Sequence, residues 1–300
     1  NISISVYTMD ETGKLALDEA YYSKLKEDSY NFRGYDDNER SFRIEVKDRW
    51  GNVTYLDTIF KPLYEEEIIS RDNQGKLLFE RFSWADGASL WRGETSKDKA
   101  SSEGWANAFD GITLGGKPYW GSGNNLLNTF DPSLPKNQIV FPIYVIFDLK
   151  EEVTLSRIII WGRGVDSDAP KYYQVGNPKR LEVWGTDETP KGGPRDFETM
   201  EQSLVYWTDW PAIGGEGLWR NDWFQLIEGK ALPPSGARNY TEVTEEDRLF
   251  ADKGFQFEVP SETGNKKVRY IRLVINEIWQ LGRVHFQIME IKIYGSYVNK

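Results

Sequence analysis

The sequence has few of the residues that most enzymes use for catalysis. Its 300 residues include no cysteine and one histidine, His285. These absences exclude a disulfide framework, thiol catalysis and a zinc site built from several histidines. No P-loop, dinucleotide-binding or GxSxG motif is present. The 47 acidic residues could supply the carboxylate pair of a glycosidase, but no spacing singles out such a pair. We therefore expect a protein that is not an enzyme.

Long apolar segments and an excess of positive charge are also missing. The apolar runs, such as RIIIWG from Arg157, are too short to cross a bilayer, so no transmembrane segment is predicted. The formal net charge of −10 argues against nucleic acid and anionic lipid as partners. The chain starts at Asn1 without the charged and apolar regions of a signal peptide, and we expect that a leader segment has been removed.

Aromatic residues, in contrast, are abundant. The chain has 12 Trp, 16 Tyr and 15 Phe, and hydrophobic residues make up 39% of it, a composition typical of a soluble globular protein with large cores. Most of the aromatic rings belong in those cores. Any ring that remains exposed is available for stacking against a ligand.

Alternating polarity predicts a small all-β domain at the N-terminus. In RSFRIEVKDRWGN, Phe42, Ile44 and Val46 alternate with charged residues, and the following VTYLDTIFKPLY predicts the second strand of a hairpin. The earlier segment LALDEAYYSKLKED predicts a short helix. We place an Ig-like or fibronectin-like domain over residues 1–68 and a polar linker over 69–76.

The remainder, residues 77–300, is also predicted to be β-structure. Residues 187–248 are rich in Gly, Pro and Trp and are predicted to form a long loop. Six other segments have strong strand patterns, several of them apolar on both faces: 142–149, 155–163, 179–186, 254–260, 267–276 and 288–295. The predicted fold class is all-β, a small Ig-like or fibronectin-like sandwich followed by a jelly-roll sandwich of two antiparallel sheets.

The second domain resembles the discoidin, or coagulation-factor type C, domain, which is a galactose-binding-like jelly roll. The resemblance covers about residues 77–297 and is most specific in the closing pair of strands. The matching segments are NAFDG (107–111), YVIFDL (144–149), LSRIIIWGR (155–163), NPKRLEVWGT (177–186), VRYIRLVI (268–275) and FQIMEIKIYG (286–295).

The whole chain also resembles the two C-terminal domains of surface lipoproteins from glycan-utilising Bacteroidetes. It shares with them RGYDDNERSFRIEVKDRWGNV (33–53) and PLYEEE (62–67). The resemblance implies a carbohydrate-binding protein that takes part in polysaccharide utilisation. It implies a place outside the cell or at the outer-membrane surface, with a lipid anchor on an N-terminal segment missing here. The implied partners are a glycan or oligosaccharide and other surface proteins.

The discoidin resemblance also implies a structural Ca²⁺ ion. In calcium-bearing discoidin domains an Asp–Gly turn and a Glu of the last strand supply carboxylates, and nearby carbonyls complete the shell. The matching residues are Asp110 and Glu290, with Asn107 and Ile112 beside the turn. Carboxylate and carbonyl oxygens are the ligands that Ca²⁺ prefers. The alternative is that Asp110 caps a turn and Glu290 pairs with a surface lysine.

Ligand-binding candidates are aromatic and polar residues in predicted loops. A Trp ring suits the apolar C–H face of a pyranose, and an arginine can form bidentate bonds with hydroxyls or a carboxylate. Sugar-binding discoidin modules hold their ligand on loops at one end of the sandwich. Trp120 and Trp223 are predicted to belong to the core. The candidates here are Trp210, Trp219, Arg163, Tyr172, Trp279, Arg283 and His285.

Two functions remain open at this point. The first is a noncatalytic carbohydrate-binding module that holds a glycan on the loops of its second domain. The second is a protein-interaction or scaffold component of a cell-surface complex, which a flat apolar patch without a groove would favour. For each tryptophan of the Gly-rich loop, burial in a local hydrophobic cluster is the alternative to ligand stacking.

Overall fold

The chain divides into two compact units, Asn1–Glu65 and Glu66–Lys300. This boundary lies before the predicted linker, because Ile68 and Ile69 are buried in the core of the second unit. Residues 69–76 are therefore part of that unit. The structure, a computed structural model, describes residues 2–23, 38–62, 66–82, 103–115, 118–121, 141–166, 169–192, 196–210, 214–279 and 285–298.

The first unit is an antiparallel sheet in its described part. Its strand order is β2-β1-β3-β4, and the predicted hairpin is confirmed as β3–β4 with an unbroken register. The predicted helix at LALDEAYYSKLKED is wrong, because its first nine residues form β2. Pairing with β1 satisfies the backbone of that segment and outweighs a modest helix propensity. The strands are β1 (Ile2–Met9), β2 (Leu15–Ser23), β3 (Arg40–Lys47) and β4 (Val53–Phe60).

Three turns among the described residues share one construction, named here the Asp-x-x-Gly turn. They span residues 10–14, 48–52 and 72–76. In each, an aspartate oxygen accepts hydrogen bonds of 2.8–2.9 Å from the backbone N–H groups two and four residues later. The glycines at the fourth position have φ of 78–90°, a region that favours glycine. The turn therefore requires Asp at its first position and Gly at its fourth, whereas the residue type at its third position can vary.

The second unit is built from twelve strands in its described part. The predicted strands of this unit are confirmed. They are β5 (Glu66–Glu67), β6 (Glu80–Arg81), β7 (Trp120–Gly121), β8 (Ile143–Trp161), β9 (Val165–Asp166), β10 (Ala169–Pro170), β11 (Pro178–Thr186), β12 (Phe224–Lys230), β13 (Phe255–Glu258), β14 (Lys267–Ile278), β15 (Gln287–Ile288) and β16 (Glu290–Tyr297).

The long strand β8 organises these strands into two layers. Its first half pairs with β14, which continues through β11 to β12, and its second half pairs with β13 and β16. Phe147 from the first half and Ile158 and Ile160 from the second belong to one core. Tyr144 and Ile146 alternate with that face and lie in a second aromatic cluster on the outer face of the first layer. The all-β prediction is confirmed.

The predicted loop over 187–248 contains helices and a strand. Its helix α1 begins after Thr199, whose hydroxyl accepts from the backbone N–H of Gln202 in a capping box. The sequence Thr-x-x-Gln is the signal that identifies this start. The helices are α1 (Met200–Trp207), α2 (Glu245–Asp252) and α3 (Ser261–Gly264), with 3₁₀ turns at Trp105–Phe109 and Leu218–Asn221.

Asp247 in the first turn of α2 is a buried carboxylate with many donors. Its two oxygens accept from the backbone and hydroxyl of Ser235 at 2.9 and 2.6 Å, and from those of Thr244 at 2.9 Å each. Burial raises the pKa of Asp247, but these hydrogen bonds outweigh it and lower the pKa from 3.8 to about 2. The ionised side chain thus fixes the loop that precedes α2.

We expect Asp247→Asn to lower the free energy of unfolding at pH 7 by about 1–2 kcal/mol, the usual scale for a helix cap. Because the folded pKa of about 2 lies below the unfolded value of 3.8, the stabilising effect is complete above pH 4 and disappears as the pH falls towards 2. Urea unfolding at pH 7, 4 and 2.5 measures the difference. Glu245→Gln, an exposed change in the same helix turn, is the matched control. A difference that stays constant with pH would contradict this account.

Candidate functional site

The predicted pair Asp110 and Glu290 meets at the turn after the 3₁₀ segment Trp105–Phe109. Glu290 is buried, and its Oε2 accepts from the backbone N–H of Asp110 at 3.1 Å and of Gly111 at 3.0 Å, across 180 positions of sequence. An oxygen of Asp110 accepts from the N–H of Ile112 at 2.9 Å. The structure therefore brings the two predicted carboxylates to one turn.

The electrostatics of this turn are those of two carboxylates held close together. Burial raises the pKa of Glu290 to about 7; the N–H of Gly111 opposes the rise and the charge of Asp110 adds to it. Burial also raises the pKa of Asp110. Arg71 donates from Nε to the carbonyl of Phe109 at 2.7 Å, which ties the turn to the segment before it.

Loops before β11 and β16 and after β8 and β14 meet at one end of the sandwich, named here the rim. Strand pairing places Glu290 beside Trp161 and Pro178 beside Ile278 at this end. Arg283 lies outside the described residues. Four predicted ligand residues are located at the rim: Arg163, Tyr172, Trp279 and His285.

Arg163 is an internal residue of the rim. Its side chain is buried, its Nη1 donates to Oε1 of Gln287 at 3.1 Å, and its guanidinium lies 4.5 Å from the centre of the Tyr119 ring. The ring of His285 is half-buried, with Nε2 2.9 Å from Nε2 of Gln287. The expectation that Arg163 reaches a ligand is therefore wrong, because its charge is used inside the protein.

Tyr172 and Trp279 line a cavity at the rim together with Arg163. The cavity measures about 10 Å³, room for one water molecule at most. Tyr172 is buried and donates to Oδ1 of Asp252 at 2.5 Å, so it is a structural residue and not a ligand contact. Trp279 is half-buried, and its indole N–H donates to the carbonyl of Ala231 at 3.2 Å. This cavity is too small to admit a sugar ring.

The Trp-rich loop lies on the outer face of the first layer, where it covers a buried guanidinium. Arg272 is fully buried, and its guanidinium lies 4.0, 4.5 and 4.2 Å from the ring centres of Tyr144, Trp207 and Trp219. Its Nη2 donates to the carbonyl of Trp207 at 3.2 Å. The prediction that Trp219 is an exposed ring is wrong, because this ring is one wall of the arginine cage.

The other tryptophans predicted to be either buried or exposed can now be compared with the structure. Trp120 and Trp223 are buried in the core, as predicted. Trp210 is half-buried, and its carbonyl accepts from the N–H of Gly215 at 3.0 Å, which closes the loop on itself. Trp210 thus keeps part of its surface accessible. A group of polar residues borders the arginine cage through Tyr144 and Trp219.

That polar group, named here the outer-face cluster, was not predicted. Trp184 is half-buried, and its indole N–H donates to Glu182 at 2.7 Å, while Asn276 donates to the other oxygen of Glu182 at 2.8 Å. Arg220 bonds to Asp209 and lies 5.5 Å from the Trp184 ring centre. The cluster consists of Glu182, Trp184, Asp209, Arg220 and Asn276.

The side chains of the outer-face cluster are partly exposed to solvent, and their hydrogen bonds hold them in place. The side chains of Glu182, Asp209 and Arg220 are 16%, 22% and 33% exposed. Burial lowers the pKa of Arg220, but the hydrogen bond with Asp209 outweighs it and the pKa is raised. Tyr144, buried beneath, has its pKa raised by burial and donates its hydroxyl to Asp209.

Sequence signals for this cluster exist but are weak. Glu182 and Trp184 alternate with Val183 in KRLEVWGT and so share the face of β11 opposite to the core. Alternation shows that they leave the core face, but not that Asp209 and Arg220 from a distant loop return to the same place. The side-chain contacts are what define the cluster.

The described residues include neither a group of three or more metal-binding side chains nor a membrane-spanning helix. Within the described ranges, no group of three or more His, Cys, Asp or Glu side chains is close enough to hold one metal ion. Among the same residues, no helix has the length and apolar character needed to span a bilayer.

Comparisons with known proteins identify families and a shared fold. The family model DUF5000, described as a domain of unknown function, matches residues 123–295, and DUF5126, also a domain of unknown function, matches residues 1–70. No curated protein matches the chain. A SusE-like protein of known structure is 22% identical, with 99% of this chain and 89% of that chain covered and a TM-score of 0.51.

Two further solved structures are more distant. The C-terminal domain of a chitobiase from Bacteroides fragilis is 17% identical, with 74% of this chain and 95% of that chain covered and a TM-score of 0.35. The CBM32-1 module of a family 31 glycoside hydrolase from Clostridium perfringens is 12% identical, with 75% and 96% covered and a TM-score of 0.35. Of the three, the likeness to the SusE-like protein supports the fold.

Trp219→Ala tests the structural role of the arginine cage. Loss of this fully buried ring leaves a cavity and uncovers the Arg272 charge, and we expect the free energy of unfolding to fall by about 3–5 kcal/mol. Urea denaturation followed by far-UV circular dichroism measures it. Trp210→Ala, a half-buried ring of the same loop, should lose less than half as much. Wild-type stability of the Trp219 variant would contradict the cage.

Proposed function

The chain belongs to the DUF5000 family through residues 123–295, and we propose that it is a noncatalytic carbohydrate-binding protein of the cell surface. The observation that carries this proposal is the outer-face cluster, where a half-buried indole ring is bordered by two carboxylates, an amide and a guanidinium. The resemblance to surface lipoproteins of glycan-utilising Bacteroidetes supports the cell-surface location and a role in polysaccharide utilisation.

The chemistry of the cluster suits a saccharide. The face of Trp184 can pack on the C–H face of a pyranose, while Glu182 and Asn276 are positioned to bond its hydroxyls. Arg220 adds donors that are held in place by Asp209. Because these side chains already bond to one another, little conformational entropy is lost when a ligand binds.

The same contacts argue for binding without catalysis. Both oxygens of Glu182 and both oxygens of Asp209 accept hydrogen bonds. Glycoside hydrolysis by the common mechanism needs one carboxylic acid that donates its proton to the leaving oxygen. Two carboxylates held as acceptors are suited to recognising hydroxyl groups instead.

Binding by the outer-face cluster is tested with a panel of plant, fungal and mucin polysaccharides in native affinity electrophoresis. We expect at least one polysaccharide to retard the full chain and Trp184→Ala to weaken that binding about tenfold or more, which corresponds to about 1.4 kcal/mol for a lost stacking contact. Glu182→Gln should weaken binding less, because an amide oxygen still accepts from Asn276 or a hydroxyl.

Trp279→Ala is the matched control, since this ring is half-buried at the rim and belongs to no polar cluster of the outer face. Thermal unfolding confirms that each variant is folded. Binding lost with Trp279→Ala but kept with Trp184→Ala would move the site to the rim, where His285 and Trp279 are accessible. A failure of every polysaccharide to retard the wild-type chain would contradict the function and favour a scaffold role.

We also propose a structural Ca²⁺ at the Asp110 turn, held by the carboxylates of Asp110 and Glu290 with the backbone of Asn107 and Ile112. What supports this is the pairing of two desolvated carboxylates at one turn, a charge arrangement that a cation would relieve. The carbonyl of Phe109 accepts a hydrogen bond from Arg71 and is not one of the proposed calcium ligands. The ion would fasten the turn to β16.

Calcium binding at this turn predicts a rise in melting temperature of several degrees when 1 mM CaCl₂ is added after treatment with a chelator. Glu290→Gln should abolish the response, while Glu258→Gln, a change on the neighbouring edge strand β13, should preserve it. Differential scanning fluorimetry gives the readout. An identical melting temperature with and without Ca²⁺ would show that Glu290 acts only as an acceptor for the turn.

A further inference from the structure

The most exposed tryptophan that the structure describes belongs to the first unit, whereas the outer-face cluster belongs to the second. Trp50 is 72% exposed and occupies the third position of the Asp-x-x-Gly turn between β3 and β4. The turn is fixed by Asp48, whose oxygens accept from the backbone N–H groups of Trp50 and Asn52 at 2.8 and 2.9 Å. An apolar ring is thus presented on a rigid tip.

The turn itself does not require this ring. The equivalent position is Thr12 in the first Asp-x-x-Gly turn and Gln74 in the third, and all three turns make the same hydrogen bonds. A small polar residue and an amide therefore serve the fold equally well at this position. The fold of the turn therefore does not explain why position 50 carries a tryptophan.

The two most exposed aromatic rings of this hairpin are each backed by an arginine, whereas the third, Phe60, stacks on Phe42. The guanidinium of Arg49 lies 4.0 Å from the centre of the Trp50 ring, and that of Arg43 lies 4.3 Å from the Tyr55 ring. Arg43 is itself held by Asp57 through hydrogen bonds of 2.6 and 2.8 Å. Tyr55 is 58% exposed. In each case a cation covers one ring face and leaves the rest of the ring to solvent.

We propose that Trp50 and Tyr55 on the β3–β4 hairpin form a second saccharide-binding surface, specific for the apolar faces of pyranose rings in a polymer. This inference rests on the proposed carbohydrate-binding function and adds a site in the other unit. A guanidinium on one ring face fixes the ring orientation and provides N–H donors for neighbouring hydroxyls. Two sites on one chain strengthen attachment to a polymer more than to a short oligosaccharide.

A saccharide fits this surface better than a protein partner does. A stable protein interface buries about 1,200–2,000 Å² around a well-packed apolar centre. Val53, Leu56, Ile59 and Phe60 are exposed along β4, but the tip of the hairpin carries the Trp50 ring among charged residues, with Arg49 exposed beside it and Lys47 exposed at the end of β3. That combination is suited to stacking on one sugar unit at a time.

The test uses the full chain and the polysaccharide that it binds, in insoluble form, with a short oligosaccharide of the same sugar as a second probe. Trp50→Thr introduces the residue of the equivalent first turn, so the hairpin should fold. We expect Trp50→Thr to lower retention on the polymer at least threefold while the oligosaccharide affinity of the outer-face cluster is unchanged. In a Trp184→Ala background, it should remove the remaining retention. Gln74→Thr, the same change in the third turn, is the control without effect.

The outcomes separate this inference from the proposed function. If the polymer retains the chain and Trp50→Thr matches wild type in both backgrounds, the second surface is wrong and the outer-face cluster acts alone. If Trp50→Thr instead converts a dimer to a monomer in size-exclusion chromatography, the ring belongs to an interface between copies and the inference is overturned. If no polysaccharide retains the wild-type chain, the proposed function fails as well.

Discussion

The enclosure of one guanidinium determines how the outer face of this protein is arranged. Arg272 is fully buried between three aromatic rings, and a charge in that position is tolerable only if its surroundings are fixed. Trp207 at the end of α1 and Trp219 in the following loop supply two of those rings. Asp209, which follows Trp207 by two positions, and Arg220, which follows Trp219, are held in place as a consequence.

This constraint connects the packing around Arg272 to the proposed binding surface. Trp219, one of the rings predicted to contact a ligand, is used to enclose Arg272, and partly exposed polar residues border the cage. Asp209 accepts from the hydroxyl of Tyr144, a buried ring of the cage, and it also bonds Arg220, which is partly exposed. The buried cage therefore fixes the positions of polar side chains at the surface. A ligand would then meet side chains that the core has already oriented.

Much of the fold could be predicted from the sequence, because the alternation of polar and apolar residues along a segment indicates a strand and its buried face. Segments apolar on both faces, such as the first half of β8, predicted a strand covered on both sides, and Tyr144 and Phe147 indeed lie in different clusters. The short helix α1 was missed within a Gly- and Trp-rich stretch, although its capping box was readable. The pairing of β2 was missed because it depends on a partner strand and not on local propensity.

The candidate site was less predictable for a physical reason. Composition shows that aromatic rings are abundant but not which ones the core takes, so Trp219 and Trp184 could not be told apart by sequence. The meeting of Asp110 with Glu290 was predicted through the discoidin resemblance, since both belong to recognisable segments. The outer-face cluster has no such motif, because its members come from two strands and a loop that only tertiary packing unites.

The central claim is that a saccharide binds where Trp184 is accessible above the Arg272 cage. The most direct measurement is an NMR titration of the ¹⁵N-labelled full chain, in which the tryptophan indole N–H signals are followed as an oligosaccharide is added and Trp184 is assigned with a Trp184→Phe variant. The account predicts that the Trp184 signal shifts with saturation while those of the buried Trp207 and Trp219 move little. A titration that shifts only the Trp279 signal, or no indole signal at all, would contradict it.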